Sequence, residues 1–209
     1  MQRILTYYIK NMLNFAVGAM SENLTTHSND EDIKTKCKAI VVYDTRFGNT
    51  EKVAEALTRG IQKHNVEVKC ISVKDVELDD LGKYDLIAIG APTHFLTASK
   101  SMKELLLRLE SSYSNSAVTY GFAFDTRYDS FFAGSAVKYI EKKLEKIGLR
   151  IIRPRSSAIV REVKQKVIEK GKGKTKSRTT LREGMEQSIE AVGNEIGKTL
   201  VYKTIPFTV

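Results

Sequence analysis

Two hydroxyls, the amide of Asn49 and a glycine at position 48 fall within six residues in the run Tyr43-Asp44-Thr45-Arg46-Phe47-Gly48-Asn49-Thr50. Hydroxyl and amide donors beside a glycine, directly before a helical pattern, suit the holding of an anion. The first turn of a helix has backbone N–H groups without acceptors, and its dipole presents a positive end there. Gly48 lets the backbone approach closely. The segment contains neither G-x-x-x-x-G-K-[ST] nor G-x-G-x-x-G, which argues against a triphosphate or a dinucleotide and leaves a phosphomonoester. The competing reading is that Asn49 or Thr50 simply caps the helix.

Two later segments carry further candidates. Gly90-Ala91-Pro92-Thr93-His94-Phe95-Leu96 places an imidazole and an aromatic ring after a Pro-Thr pair. Phe124-Asp125-Thr126-Arg127-Tyr128, continuing through Phe132-Ala133-Gly134-Ser135, adds a carboxylate, a hydroxyl, a guanidinium and more rings. Aromatic faces stack on planar ligands, and they pack equally well on protein. His94 has no carboxylate partner in sight and does not by itself establish acid–base catalysis.

The elements that would hold these segments are legible. Ala39-Ile40-Val41-Val42 and Leu86-Ile87-Ala88-Ile89 are continuous apolar runs, as expected of strands buried on both faces. Val66, Val68 and Cys70 alternate with polar residues in a less buried strand. Val118–Phe124 and Leu149–Arg153 complete a set of five strands. Helical spacing of apolar residues runs from Thr50 to about His64, with Gly60 and Asn65 marking its end. It recurs at Ser99–Glu110, Val137–Ile147 and Met185–Leu200. Strands alternating with helices specify an α/β fold, a doubly wound five-stranded parallel sheet of order 2-1-3-4-5 with helices on both faces. Ligands of such sheets bind beyond the carboxyl ends of the strands, where the strand order reverses. The three segments above follow the first, third and fourth strands.

Composition bounds the rest. The 209 residues, 42% hydrophobic and 28% charged, suit one globular domain with appendages. Apolar stretches fall short of the roughly 20 residues of a membrane span and no clean leader is present, which places the protein in the cytoplasm. Cys37 and Cys70 read as buried thiols rather than a disulfide or metal cluster. The net charge is +9, yet nine Lys/Arg and two Glu between Arg161 and Arg182 account for +7 of it. That segment, 161–182, reads as a basic loop inserted before the last helix. No aromatic residue separates its lysines, so nucleic acid is weakly supported; the segment reads first as a solvated, mobile loop, with docking to an acidic partner as the alternative and anionic lipid or nucleic acid after it. Residues 1–36 read as a poorly ordered N-terminal extension and 37–209 as the domain. Nothing in the sequence reports the oligomeric state.

The run Thr45-Arg46-Phe47-Gly48-Asn49-Thr50 resembles the phosphate loop of flavodoxins, which holds the FMN phosphate with hydroxyls and backbone amides. Gly90-Ala91-Pro92-Thr93-His94-Phe95-Leu96 is similar to the family segment whose backbone borders the isoalloxazine ring, and the Asp125–Gly134 stretch takes the place of the loop closing over the other side. The resemblance covers Lys38 to about Arg153 and the final helix. It implies FMN as cofactor and Thr45, Arg46, Phe47, Gly48, Asn49, Thr50, Pro92, Thr93, His94, Phe95, Leu96, Asp125, Thr126, Arg127, Tyr128, Phe132 and Gly134 as binding residues. Many relatives have Gly where this chain has Leu96, and a Gly there permits a peptide flip toward N5 of the reduced flavin. Arg127 about 8 Å from N1 would favour an anionic reduced flavin by on the order of 2 kcal/mol. The function implied is electron transfer to a redox partner protein. The alternative is an NAD(P)H-dependent quinone or small-molecule reductase of the same family, and a phospho-receiver module is disfavoured because Gly90-Ala91-Pro92 stands where an acidic residue would end the third strand.

Overall fold

In the computed structural model, residues 37–94, 96–114, 118–130, 134–169 and 172–204 are described. The 1–36 extension, Phe95 and Phe132 lie outside them. In chain order come β1 (Lys38–Tyr43), α1 (Asn49–Gln62), β2 (Glu67–Ser72), two 3-10 turns, β3 (Leu86–Pro92), α2 (Lys100–Ser112), β4 (Tyr120–Tyr128), α3 (Ala136–Ile147), β5 (Arg150–Ile151), β6 (Ser156–Glu169), β7 (Lys172–Leu181) and α4 (Met185–Thr204).

Alternate residues of the central strands face opposite layers. Ala39, Val41, Leu86, Ala88, Phe122 and Phe124 pack with α1 and α4. Ile40, Val42, Ile87, Ile89 and Ala123 pack with α2 and α3. Burial on both faces is what the β-branched runs require.

The sheet order is β2-β1-β3-β4-β6-β7, with β5 also paired to β4. The expected order 2-1-3-4-5 is thereby corrected at one edge: among the described residues the sheet has seven strands, and the last pairs antiparallel. The fifth position is shared by two strands. Tyr120 pairs with Arg150, but Phe124 pairs with Ser156, so the offset grows by two residues. The break contains Pro154, which has no N–H to donate to a ladder. Beyond it β6 runs along β4 to the Tyr128–Val160 pair and then continues as a hairpin with β7. The basic segment expected as a loop is therefore the outer part of a β-hairpin. With β6 as a neighbour, β4 extends through Asp125, Thr126, Arg127 and Tyr128, four residues expected in a loop.

Gly60 does not end α1; the helix runs on to Gln62, and Asn65 at φ 57° follows it. Gly60 lies where α4 crosses. A Cβ there would stand 2.1 Å from the Glu190 carbonyl oxygen, and one at Gly193 would stand 2.3 Å from that of Leu57. The two helices touch backbone to backbone. Alanine normally gains up to about 1 kcal/mol over glycine inside a helix. At Gly193 the clash is with main chain that cannot rotate away, so the sign reverses. Gly193→Ala should lower stability by about 2 kcal/mol, read as a lower urea midpoint at unchanged slope; a midpoint at or above the native value would show the helices able to separate without cost.

Candidate functional site

The site begins at the carboxyl end of β1. Tyr43 ends the strand, and its hydroxyl donates to Glu51 Oε1 (2.8 Å) in the first turn of α1. Burial first, and then the Glu51 bond, push the Tyr43 phenol up to about 12. Asp44 N donates to the Gly90 carbonyl, and Asp44 Oδ2 accepts from Ser101 Oγ (2.6 Å), tying the loop to β3 and α2. Thr45 Oγ1 accepts from Gly48 N (3.0 Å), which folds the loop back on itself. Gly48 precedes α1 at φ 82°, in the left-handed region, and a Cβ there would meet open space. Helical bonding resumes with Lys52 N to the Gly48 carbonyl. The N–H groups of Asn49, Thr50 and Glu51 lie in the turn that has no intrahelical acceptor.

A cavity of about 150 Å³ opens above this turn. It gathers Thr45, Arg46, Phe47, Asn49, Thr50, Pro92, Thr93, His94, Thr126, Arg127 and Tyr128, all anticipated from sequence. Two more wall residues, Val160 and Thr179, come from the hairpin and escaped sequence reasoning. The signal was present in the apolar run Ala158-Ile159-Val160 and in Thr179-Thr180, but the lysines around them suggested a loop.

Several anticipated donors are engaged by the protein itself. Asn49 Nδ2 donates to the Thr179 carbonyl (2.9 Å) and lies 2.8 Å from the Thr179 hydroxyl. The buried hydroxyls of Thr50 and Thr126 bond each other at 2.9 Å. Thr93 Oγ1 donates to Asp125 Oδ2 (2.9 Å) and accepts from Ala136 N (3.0 Å). Asp125, fully buried, also accepts from Val137 N at 3.1 Å. Thr93 and Asp125 thus join the segment after β3 to the start of α3. Asp125 Oδ1 is buried without a hydrogen-bond partner among the described residues.

At the mouth, Arg46 stacks on Phe47 (5.1 Å), and its Nη1 lies 3.5 Å from His94 Nε2. Arg127 turns inward, donating to the Gly134 carbonyl (3.3 Å). Phe47, Tyr128 and Leu96 remain 43%, 47% and 63% exposed. Leu96 and Gly134 meet in a short parallel bridge. Leu96 holds φ 68°, a conformation that costs an L-residue about 1–2 kcal/mol. Gly134 holds φ 70°, and a Cβ on it would stand 2.3 Å from Leu96 Cα. Leu96, Asp125 and Gly134 support the cavity from outside its wall.

A model of the flavodoxin family matches residues 41–187. The chain belongs to the flavodoxin family. Among its relatives, the flavodoxin of Maridesulfovibrio salexigens is 31% identical over 122 residues, which is 55% of this chain and 81% of the relative. An archaeal flavodoxin of known structure is 28% identical with a TM-score of 0.60, covering 78% of this chain and 98% of its own. The oxidised flavodoxin 1 of Bacillus cereus shares the fold at 18% identity, with a TM-score of 0.61 and coverage of 77% and 97%. Flavodoxins bind FMN and pass electrons to partner proteins, so this chain is an FMN-binding electron-transfer protein. No helix among the described residues is long and apolar enough to cross a membrane. Cys37 and Cys70, expected as buried, are half-buried free thiols, and burial raises the Cys70 thiol.

The site suits FMN at its phosphate end. The first turn of α1 offers N–H groups, Thr45 retains its hydroxyl proton as a donor, and the open side of Gly48 gives an anion room. Gly48→Val should therefore leave the sheet folded, by an unchanged far-ultraviolet dichroism spectrum, and weaken FMN at least about tenfold, since a branched residue at positive φ distorts the loop. Wild-type FMN affinity in the variant, by fluorescence-quenching titration, would remove the loop from the site.

Proposed function

We propose that this flavodoxin carries electrons to or from an acidic redox protein that docks along the basic β-hairpin. The carrying observation is where the hairpin begins. Val160 and Thr179 form part of the cavity wall, and from them the paired strands continue outward to the Glu169–Lys172 pair. Nine strand residues beyond Val160, at about 3.3 Å each, span roughly 30 Å. Arg161, Lys164 and Arg178 are exposed near its base. A partner of opposite charge is thereby steered toward the same edge that holds the cofactor, within reach of the exposed Phe47, Tyr128 and Leu96.

In this reading Thr45, Gly48 and the first turn of α1 would hold the phosphate. Pro92, Thr93, His94, Arg127 and Tyr128, which line the cavity, would border the ring, with Phe47 beside it. Bound FMN supplies the redox chemistry, accepting and releasing electrons one or two at a time. The chain's share is to anchor, to border and to set the field. Arg127, held beside Gly134, supplies a fixed positive charge there. A cytoplasmic location accords with two free thiols and the absence of a spanning helix among the described residues.

The reductase reading is favoured by one feature, the bridge that joins Leu96 to Gly134. Its side chain and its tie to the next loop oppose the peptide flip that a one-electron carrier uses. The two readings separate in stepwise anaerobic reduction followed by absorption. A carrier passes through a third spectral species between the oxidised and fully reduced ones and reacts slowly with NADPH. A reductase goes directly from the first to the last and turns over rapidly with NADPH and a quinone.

Docking is tested with Arg161, Lys164 and Arg178 changed together to Gln and a small acidic iron–sulfur protein as partner. The electron-transfer rate should fall about tenfold at low ionic strength and differ less than about twofold at 1 M salt, where the Debye length is ~3 Å. FMN affinity should not change. A rate indifferent to both salt and the substitutions would leave the hairpin without a docking role.

A further inference from the structure

We infer that Thr179 is a positioning residue of the cofactor's phosphate site, a role that rests on the FMN reading above and assigns the base of the hairpin a task separate from that of its outer strands. Asn49 opens α1 and is 8% exposed. Its amide meets Thr179 at two atoms, the carbonyl at 2.9 Å and the hydroxyl at 2.8 Å. A carbonyl has no proton to give, so the NH2 side of the Asn49 amide must face the hairpin. With that group held, Asn49 meets an anion through its backbone N–H rather than its side chain.

The acceptor is on fixed ground. Thr179 pairs with Glu162, two residues beyond the Val160–Leu181 pair. Val160 is buried and also pairs with Tyr128 of β4. Leu181 packs on the α1 and α4 side of the core. Arg182 N donates to the Ile159 carbonyl (2.8 Å), and the Arg182 guanidinium pairs with Asp129 at 3.1 Å. The strand position that accepts from Asn49 is therefore locked to the sheet edge. Through Asn49 it fixes the first turn of α1, whose Asn49 and Thr50 line the cavity. Helix ends fray readily when their side-chain bonds are lost. Here the residue that prevents fraying is 130 positions away in sequence, in a segment whose composition reads as a solvated loop.

The prediction is selective for the phosphate. Thr179→Val keeps the shape and the carbonyl but deletes the hydroxyl, and it should weaken FMN about fivefold, the worth of one neutral hydrogen bond. Riboflavin, which lacks the phosphate, should bind the variant as it binds the native protein. Thr179→Ser restores the hydroxyl and should return FMN affinity to within about twofold of native. A second variant, with residues 167–174 replaced by an Asn-Gly turn, keeps the ladder from Val160–Leu181 to Lys166–Thr175 and should retain native FMN affinity. All are read by quenching of flavin fluorescence on the apoprotein. Native FMN affinity in Thr179→Val would overturn the inference, as would equal losses for FMN and riboflavin, failure of Thr179→Ser to recover, or weakened FMN in the shortened hairpin. Failure of the native protein to bind FMN would instead refute the cofactor reading itself.

Discussion

The pairing of β4 with β6, from Phe124–Ser156 to Tyr128–Val160, is the constraint on which the rest of this molecule depends. An isolated strand end would splay at the carboxyl edge of a sheet, where its N–H and C=O groups lack partners. With β6 alongside, β4 stays extended through Thr126, Arg127 and Tyr128, all of which line the cavity. The same pairing supports the hairpin, which by itself would be only marginally stable in water. Cavity floor and basic extension are consequences of one ladder.

From that ladder two networks reach across the site. Asp125, on β4, receives the Thr93 hydroxyl and the Val137 amide, so the segment after β3 and the start of α3 share one buried carboxylate. Thr126, the next residue, bonds Thr50 at the start of α1. Adjacent strand positions point to opposite faces of a sheet. Asp125 and Thr126 therefore organise opposite sides of the site from neighbouring positions. The cost is that these hydroxyls are committed to the scaffold, which leaves the backbone of α1's first turn, Thr45 and the Arg46 guanidinium as donors around the loop.

Much of this was legible in the sequence, and the reasons differ by residue. Ala39–Val42 and Leu86–Ile89 could only be strands covered on both sides. The spacing of Thr45, Gly48 and Thr50 located a turn at the cavity before α1 because its chemistry is local. Gly60 was misleading: a glycine near the end of an apolar pattern looks like a stop signal, and its actual use, close approach by Gly193, involves a residue far along the chain. The hairpin was hidden by its charge. Alternation of Val160, Glu162 and Lys164 against Leu181, Thr179 and Ser177 emerges only when the two strands are laid in register, and no window on one strand contains it. Leu96 is a different case, since nothing about a leucine announces a left-handed backbone; the bridge to Gly134 imposes it.

The contact between α1 and α4 bears on how this chain tolerates its own insertion. Gly60, Gly193 and Gly197 let the final helix seat against α1 by main chain, with a Cβ at Gly197 falling 2.7 Å from the Ile61 carbonyl oxygen. Seating of that kind is a matter of shape, and it is indifferent to what joins the helix to the sheet. The last helix finds its berth however far the hairpin's outer strands extend beyond the Glu162–Thr179 pair. Those outer strands are thus free territory, in which length and charge can drift, be exchanged or be redesigned while the domain beneath keeps its form. A carrier built this way can change its outermost strands without disturbing the helix contact beneath.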